Sequence, residues 1–180
     1  EAENVILATG STPIELPFMK FDEEYVCSST GALDLESLPE RVAVIGGGYI
    51  GLELGIALRR LGSEVTEIEG LDKVLAIFDD ELRRPLTTWL RKNGVTTHVN
   101  CLAQGAEVKD SKVELTWKDG AGDMQSATFD TVLVPVGRRP HPRLLYPSDA
   151  PHAGLGVDLA RPPTPPKHPP PPTSPPPPPT

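Results

Sequence analysis

The sequence predicts an α/β fold, a parallel sheet with helical crossovers followed by an antiparallel β-meander. Three observations predict it. The apolar run Arg41–Ile45 passes through three glycines into a segment with helical apolar spacing, and then into a second strand-like run. Short strand-like segments separated by turn residues follow, as in hairpin-connected strands. A last apolar run at 131–136 returns to the continuous pattern of a strand buried on both faces.

In chain order, residues 4–8 (NVILA) are a short buried strand ending at Thr9-Gly10-Ser11. Residues 12–38 are irregular, punctuated by Pro13 and Pro17, with a short helix expected at 30–35 capped by Ser29 or Thr30. Arg41–Ile45 is a strand. In Tyr49–Leu61 the residues Ile50, Leu54, Ala57, Leu58 and Leu61 recur at helical spacing, and Gly62 ends the helix. Residues 64–69 form the second strand and complete a β-α-β unit. Asp79 or Asp80 caps the next helix, which runs to Asn93-Gly94, and Pro85 is expected to kink it or shift its start. Residues 96–99 are a third strand. Residues 106–109, 112–118 and 124–129 form the meander, with the turn at 118–123. The strand at 131–136 carries Pro135, which lacks a backbone donor and marks the end of pairing.

Composition bounds the rest. The chain has 180 residues, room for one modest domain. The net charge of −8 disfavours a nucleic-acid or anionic-membrane partner, and no apolar run reaches the length of a membrane span. Of the 22 prolines, 13 fall within residues 162–179, so residues 161–180 are expected to be a disordered or polyproline II tail. Cys27 and Cys101 lack any paired spacing and read as two unpaired thiols of a reducing compartment. The first residue is Glu1 rather than methionine, so a truncated start that has lost any targeting signal is expected.

The segment Val42-Ala43-Val44-Ile45-Gly46-Gly47-Gly48-Tyr49-Ile50-Gly51-Leu52-Glu53-Leu54-Gly55 carries the chemistry. It contains G-x-G-x-x-G at Gly46, Gly48 and Gly51. Alone that pattern is weak, and a glycine-rich turn that only packs would also produce it. Here a strand precedes it, a helix follows, and Glu69 ends the next strand, which is the context of a Rossmann-like dinucleotide site. Gly46 permits the tight turn, Gly48 lets the backbone approach a pyrophosphate, and Gly51 and Gly55 let helix and sheet approach closely. The free N–H groups at the helix start favour an anion. Glu69 is placed for the adenine ribose hydroxyls and repels a 2′-phosphate, so NAD is expected rather than NADP. Glu53 faces either the nicotinamide side or solvent. Glu67 is out of place at a sheet-buried position. It is expected near an edge, paired, or destabilising.

Two further segments point to a family. Val5-Ile6-Leu7-Ala8-Thr9-Gly10-Ser11-Thr12-Pro13 resembles the first crossover of two-dinucleotide flavoprotein reductases, and Val132-Leu133-Val134-Pro135-Val136-Gly137-Arg138-Arg139-Pro140 resembles the second. Ser28-Ser29-Thr30-Gly31-Ala32-Leu33, upstream of the glycine motif, is similar to dihydrolipoamide dehydrogenases.

The resemblance implies an NAD-binding domain at 15–140 inserted in an FAD domain. Residues 1–14 are then the residual FAD-domain strand and crossover, 141–160 an irregular remnant, and 161–180 the tail. It implies NAD contacts from Gly46, Gly47, Gly48, Tyr49, Ile50, Gly51, Leu52, Glu53 and Glu69. Ala103, on a loop after the third strand, and Gly137 are implied to line the site with their backbone. Thr9, Gly10 and Ser11 would touch FAD. In the full-length enzyme it implies a homodimer serving a lipoyl-bearing 2-oxo acid dehydrogenase complex, in the cytoplasm or, in a eukaryote, the mitochondrial matrix.

No catalytic or metal-binding residue is expected here. The family's redox pair is a C-x-x-x-x-C that Cys27 and Cys101 do not match. Its His–Glu pair belongs to a dimerisation domain unlike anything here, and His98, His141, His152 and His168 read as ordinary histidines. After the second crossover the sequence passes through Gly154-Leu155-Gly156-Val157-Asp158 into prolines, as a shifted reading frame would produce. Two alternatives remain. One is another flavin disulfide reductase, such as a glutathione- or mercuric-reductase-like protein. The other is an interaction module whose P-x-x-P patterns dock on SH3- or WW-type grooves.

Overall fold

A computed structural model describes residue 6 and residues 8–141. Residues 4, 5 and 7 of the strand expected at 4–8, the remnant after His141 and the proline-rich tail lie outside the described residues.

Continuous apolar runs form the centre. β3 (Arg41–Ile45) and β4 (Glu64–Ile68) pair in parallel, joined by α1 (Tyr49–Leu61). α2 (Asp80–Lys92) leads from β4 to β5 (Thr96–His98), again parallel. The chain then makes the antiparallel meander β6 (Leu102–Lys109), β7 (Lys112–Lys118) and β8 (Met124–Phe129). It returns as β9 (Thr131–Leu133) on the free side of β3.

The central sheet has a further edge strand, β2 (Val26–Cys27), parallel to β9, giving the order β2-β9-β3-β4-β5. Its alternation builds a core on each face. Val42, Val44, Val65 and Leu133 pack with Leu52 and Leu58 of α1 and Leu90 of α2. Ala43, Ile45, Ile68, Val132 and Val134 pack on the opposite face with Val113, Leu115, Trp117 and Phe129 of the meander. The domain is thus three layers: helices, parallel sheet and meander. No helix among the described residues is long and apolar enough to cross a membrane.

Several expectations need correction. The stretch read as irregular contains β2, and β1 (Ser11–Pro13) pairs antiparallel with β10 (Arg138–Pro140). Strands of two or three residues carry no periodicity, and their partners lie more than a hundred residues away in sequence. The short helix is a single 3-10 turn, Gly31–Leu33, without a side-chain bond from Thr30. Ser28 Oγ serves instead, accepting from the N–H groups of Thr30 (3.0 Å) and Gly31 (3.2 Å). β6 begins at Leu102 rather than 106, through a register shift between Ala103 and Gly105. β9 stops at Leu133, two residues before Pro135. Pro85 does not move the start of α2, which follows its cap residue Asp79; the carbonyl deprived of a partner is that of exposed Glu81, open to water.

Glu67 is neither paired nor at an edge. It lies in β4 opposite Val44 on one side and Thr97 on the other. It is fully buried, and neither carboxyl oxygen has a hydrogen-bond partner. Burial first, and the nearby Glu69 charge second, push its pKa up to about 8. Of the three expectations, destabilisation remains.

Candidate functional site

The strand order places a topological switch beside β3, because α1 carries the chain to β4 on one side while β9 lies on the other. In open α/β sheets the crevice beyond the strand ends at such a point is where ligands bind. Two adjoining hollows open there, each of about 380 Å³ and 370 Å³. The first is bordered by Gly46, Gly48, Glu69, Gly70, Cys101, Leu102, Ala103, Pro135 and Val136. The second is bordered by Gly47, Gly48, Tyr49, Ile50, Glu69, Leu71, Leu75, Ile77, Val136, Gly137 and Arg138.

Each glycine of the motif has its own reason. Gly46 turns the chain at φ +105°, a conformation side chains resist. A Cβ on Gly51 would overlap the Gly46 carbonyl oxygen and press on Val44 and Pro135. A Cβ on Gly48 would meet nothing within 4 Å, so that position opens onto the crevice. Gly48 also caps α1 without a side-chain bond, and the first turn of α1 carries no acidic residue, whereas α2 carries Asp80 and Glu81 in its first turn. The positive end of α1 therefore carries no acidic residue in its own first turn, and it faces the hollows.

Glu69 borders both hollows. Its Oε2 accepts from the Gly47 N–H at 2.6 Å and its Oε1 from the Leu71 N–H at 2.7 Å. Ala103 belongs to β6 at the bulge, not to a loop, and the bulge turns it toward the first hollow. Gly137, at φ +128°, borders the second. Arg138 is the sole cation bordering either hollow among the described residues. Its guanidinium is engaged elsewhere, donating to Ser11 Oγ and the Ser11 carbonyl, each at 2.8 Å.

Three of the expected NAD contacts, Gly51, Leu52 and Glu53, border neither hollow. The Leu52 side chain is 2% exposed and packs in the helix-side core, so it supports the loop from beneath. Glu53 is exposed on α1 and borders neither hollow. Thr9, Gly10 and Ser11 border no described hollow. They lead into the β1–β10 ribbon, where the Gly10 carbonyl accepts from His141 N–H at 3.0 Å and the Ser11 oxygens are taken by Arg138.

Residues bordering the crevice that sequence reasoning did not assign to it include Leu71, Leu75, Ile77, Cys101, Leu102 and Val136. They reach the crevice only through strand order and the path of 71–78, which no local pattern encodes. Both cysteines are free and buried, in opposite cores. Burial, with Glu23, Asp22 and Glu24 adding to it, pushes the Cys27 thiol up to about 12. The His98 ring lies tilted against Trp117, with 5.8 Å between ring centroids, as a packing residue.

Residues 1–159 match the family described as pyridine nucleotide-disulphide oxidoreductase. The chain belongs to that family. It is 44% identical over 139 residues to a dihydrolipoyl dehydrogenase of Geobacillus stearothermophilus, a match that covers 77% of this chain and 29% of the relative. The corresponding enzyme of Trypanosoma brucei brucei is 39% identical over 161 residues, covering 88% and 32%. The chain thus spans about a third or less of the length of these relatives. Among solved structures, LpdA from Mycobacterium tuberculosis superposes with a TM-score of 0.67 at 27% identity, over 83% of this chain and 30% of that one. The HOCl-induced flavoprotein disulfide reductase RclA from Escherichia coli superposes at 0.65 and 27% identity, over 74% and 30%. Family membership agrees with the resemblance read from the crossovers and the glycine motif.

Proposed function

We propose that this chain is the NAD-binding part of a dihydrolipoyl dehydrogenase and does not catalyse that reaction by itself. The carrying observation is that the N-terminus of α1, capped by Gly48 without a side-chain bond and with no acidic residue in its first turn, faces the same crevice as the Glu69 carboxylate. Gly46, Gly47, Gly48, Tyr49 and Ile50 receive the pyrophosphate, with helix N–H groups as donors, and Gly51 lets the helix pack close behind the loop. Glu69 accepts from the adenine ribose hydroxyls, and Ala103 and Gly137 border the bound nucleotide with their backbone. A 2′-phosphate would meet the Glu69 charge, and Arg138, already committed to Ser11, does not compensate. NAD is therefore the nucleotide.

NAD held there would supply a hydride acceptor, and in the whole enzyme the electrons would derive from protein-bound dihydrolipoamide. Thr9, Gly10 and Ser11 touch FAD once the flavin domain is present. The whole enzyme is a homodimer serving a 2-oxo acid dehydrogenase complex, in the cytoplasm or mitochondrial matrix. Inactivity of the chain alone is supported by its two thiols, which are buried on opposite faces of one sheet and cannot exchange with a substrate.

Calorimetry on the folded chain tests this reading. Heat of binding is expected with NAD and at least about tenfold weaker binding with NADP, the equivalent of one unfavourable charge contact. No heat at millimolar NAD overturns the nucleotide assignment. Turnover of dihydrolipoamide by the chain alone overturns its inactivity.

A further inference from the structure

Glu69 touches more than a place for a ribose. Its Oε2 holds the Gly47 N–H at 2.6 Å, and its Oε1 holds the Leu71 N–H at 2.7 Å. The other end of the Gly47 residue is held as well, since its carbonyl accepts from the Leu75 N–H at 2.8 Å. Val74 closes over the same glycine so tightly that a Cβ there would lie 2.6 Å from Val74 Cγ1 and 3.1 Å from Glu69 Oε2. Leu75 reaches this contact with φ +49°, a conformation a leucine adopts only when its surroundings impose it. The glycine loop and the 71–78 segment are thus bound together through one carboxylate and one strained turn.

We propose that Glu69 is a positioning residue. By bridging Gly47 and Leu71 it fixes the glycine loop and the overlying segment in the shape that receives a dinucleotide, before any ligand arrives. A carboxylate suits this task because it accepts two backbone N–H bonds at once, and charge-assisted bonds of this length are about twice as strong as neutral ones. Preorganised donors at the helix start then bind an anion without first paying to order the loop. The role in nucleotide affinity rests on the reading of the crevice given above. The bridging role does not.

The two roles of Glu69 separate by experiment on the full chain. Amide hydrogen exchange without ligand reports the bridge. In Glu69→Ala, exchange at Gly47 and Leu71 is expected to accelerate at least about tenfold while Val44 and Val65 stay protected. In Glu69→Gln, whose amide presents a single acceptor oxygen, one of the two sites recovers protection and the other does not. A merely destabilised fold would expose all four amides together. Calorimetry with ADP and with 2′,3′-dideoxy-ADP reports the consequence. If Glu69 only met ribose hydroxyls, Glu69→Ala and wild type would bind the dideoxy probe equally. Positioning predicts that the variant also loses affinity for that probe, by about tenfold. Unchanged exchange at Gly47 and Leu71 in Glu69→Ala overturns the inference, as does equal binding of the dideoxy probe. Wild type that binds neither probe, with the exchange pattern as stated, leaves the bridge standing and defeats the nucleotide reading alone.

Discussion

Replacing Glu67 by valine should make this domain more stable, and more so as pH rises. The side chain sits inside the sheet between Val44 and Thr97, with Gly55 of α1 above it, and both carboxyl oxygens lack partners. Its pKa in the fold is about 8 against an ordinary 4.5. The sign follows from proton counting. Between those values the folded chain holds a proton that the unfolded chain has released, so stability declines as pH rises from 4.5 to about 8 and is flat beyond. At about 1.4 kcal/mol per pH unit, the penalty is about 3 kcal/mol at neutral pH and about 5 kcal/mol above the folded pKa. Glu67→Val removes the titrating group and restores an apolar side chain beside Val44 and Val65. Urea unfolding at several pH values between 5 and 9 is the assay. With a slope of about 1.5 kcal/mol/M, the midpoint of the valine variant should exceed wild type by roughly 2 M at neutral pH, and the gap should widen toward alkaline pH. Glu67→Gln should abolish the pH dependence of the gap while keeping a buried polar group without a partner, and so remain less stable than valine. Wild-type and valine curves that run parallel across this range would refute the reasoning, because the carboxyl would then be solvated or paired in the folded chain.

Other outcomes follow from the same contacts. Gly48→Ala should leave the unfolding midpoint unchanged, since its Cβ meets open space, yet weaken NAD binding in calorimetry by about tenfold or more by crowding the helix start. Gly51→Ala should lose both, with a stability cost of about 1–3 kcal/mol from overlap with the Gly46 carbonyl, read by urea unfolding. Asp130 accepts from the Arg41 N–H and from Lys112 Nζ, each at 2.7 Å, and the bond from Lys112 chiefly holds its carboxyl below the usual range. Asp130→Ala should therefore destabilise by about 1–2 kcal/mol at neutral pH, with the difference from wild type shrinking in acid as the native carboxylate takes up its proton, followed by unfolding at low pH. A thiol reagent should find no reactive cysteine in the folded chain and two after denaturation, because Cys27 and Cys101 are both buried.

Much of the fold was legible because its signals are local. The run Arg41–Ile45, the glycines and the helical spacing of α1 lie within about twenty residues and state a β-α-β unit together. The place of Glu69, just past the end of β4, follows from the same unit, which is why the glycine loop and the acid beside it were readable without coordinates. Gly46, Gly48 and Gly51 could each be given a role because the turn, the anion and the helix–sheet contact require different things of a backbone.

What the tertiary structure decided depends on residues far apart in sequence. β2 is two residues long and exists because β9 offers it a partner, and the β1–β10 ribbon joins the ends of the domain for the same reason. Leu52 and Glu53 are neighbours in the motif, but the orientation of α1 on the sheet sends one into the core and the other to water. Cys101, Leu75 and Val136 border the crevice only because strand order brings three chain segments to one end of the sheet. The sequence by itself determined the β-α-β unit and pointed to its glycine loop and the acid beside it, since these rest on short-range geometry. The folded chain determined that the acid bridges the loop to the segment above it, and that Glu67 is buried without a partner, since burial and hydrogen bonding are settled only when every layer is in place.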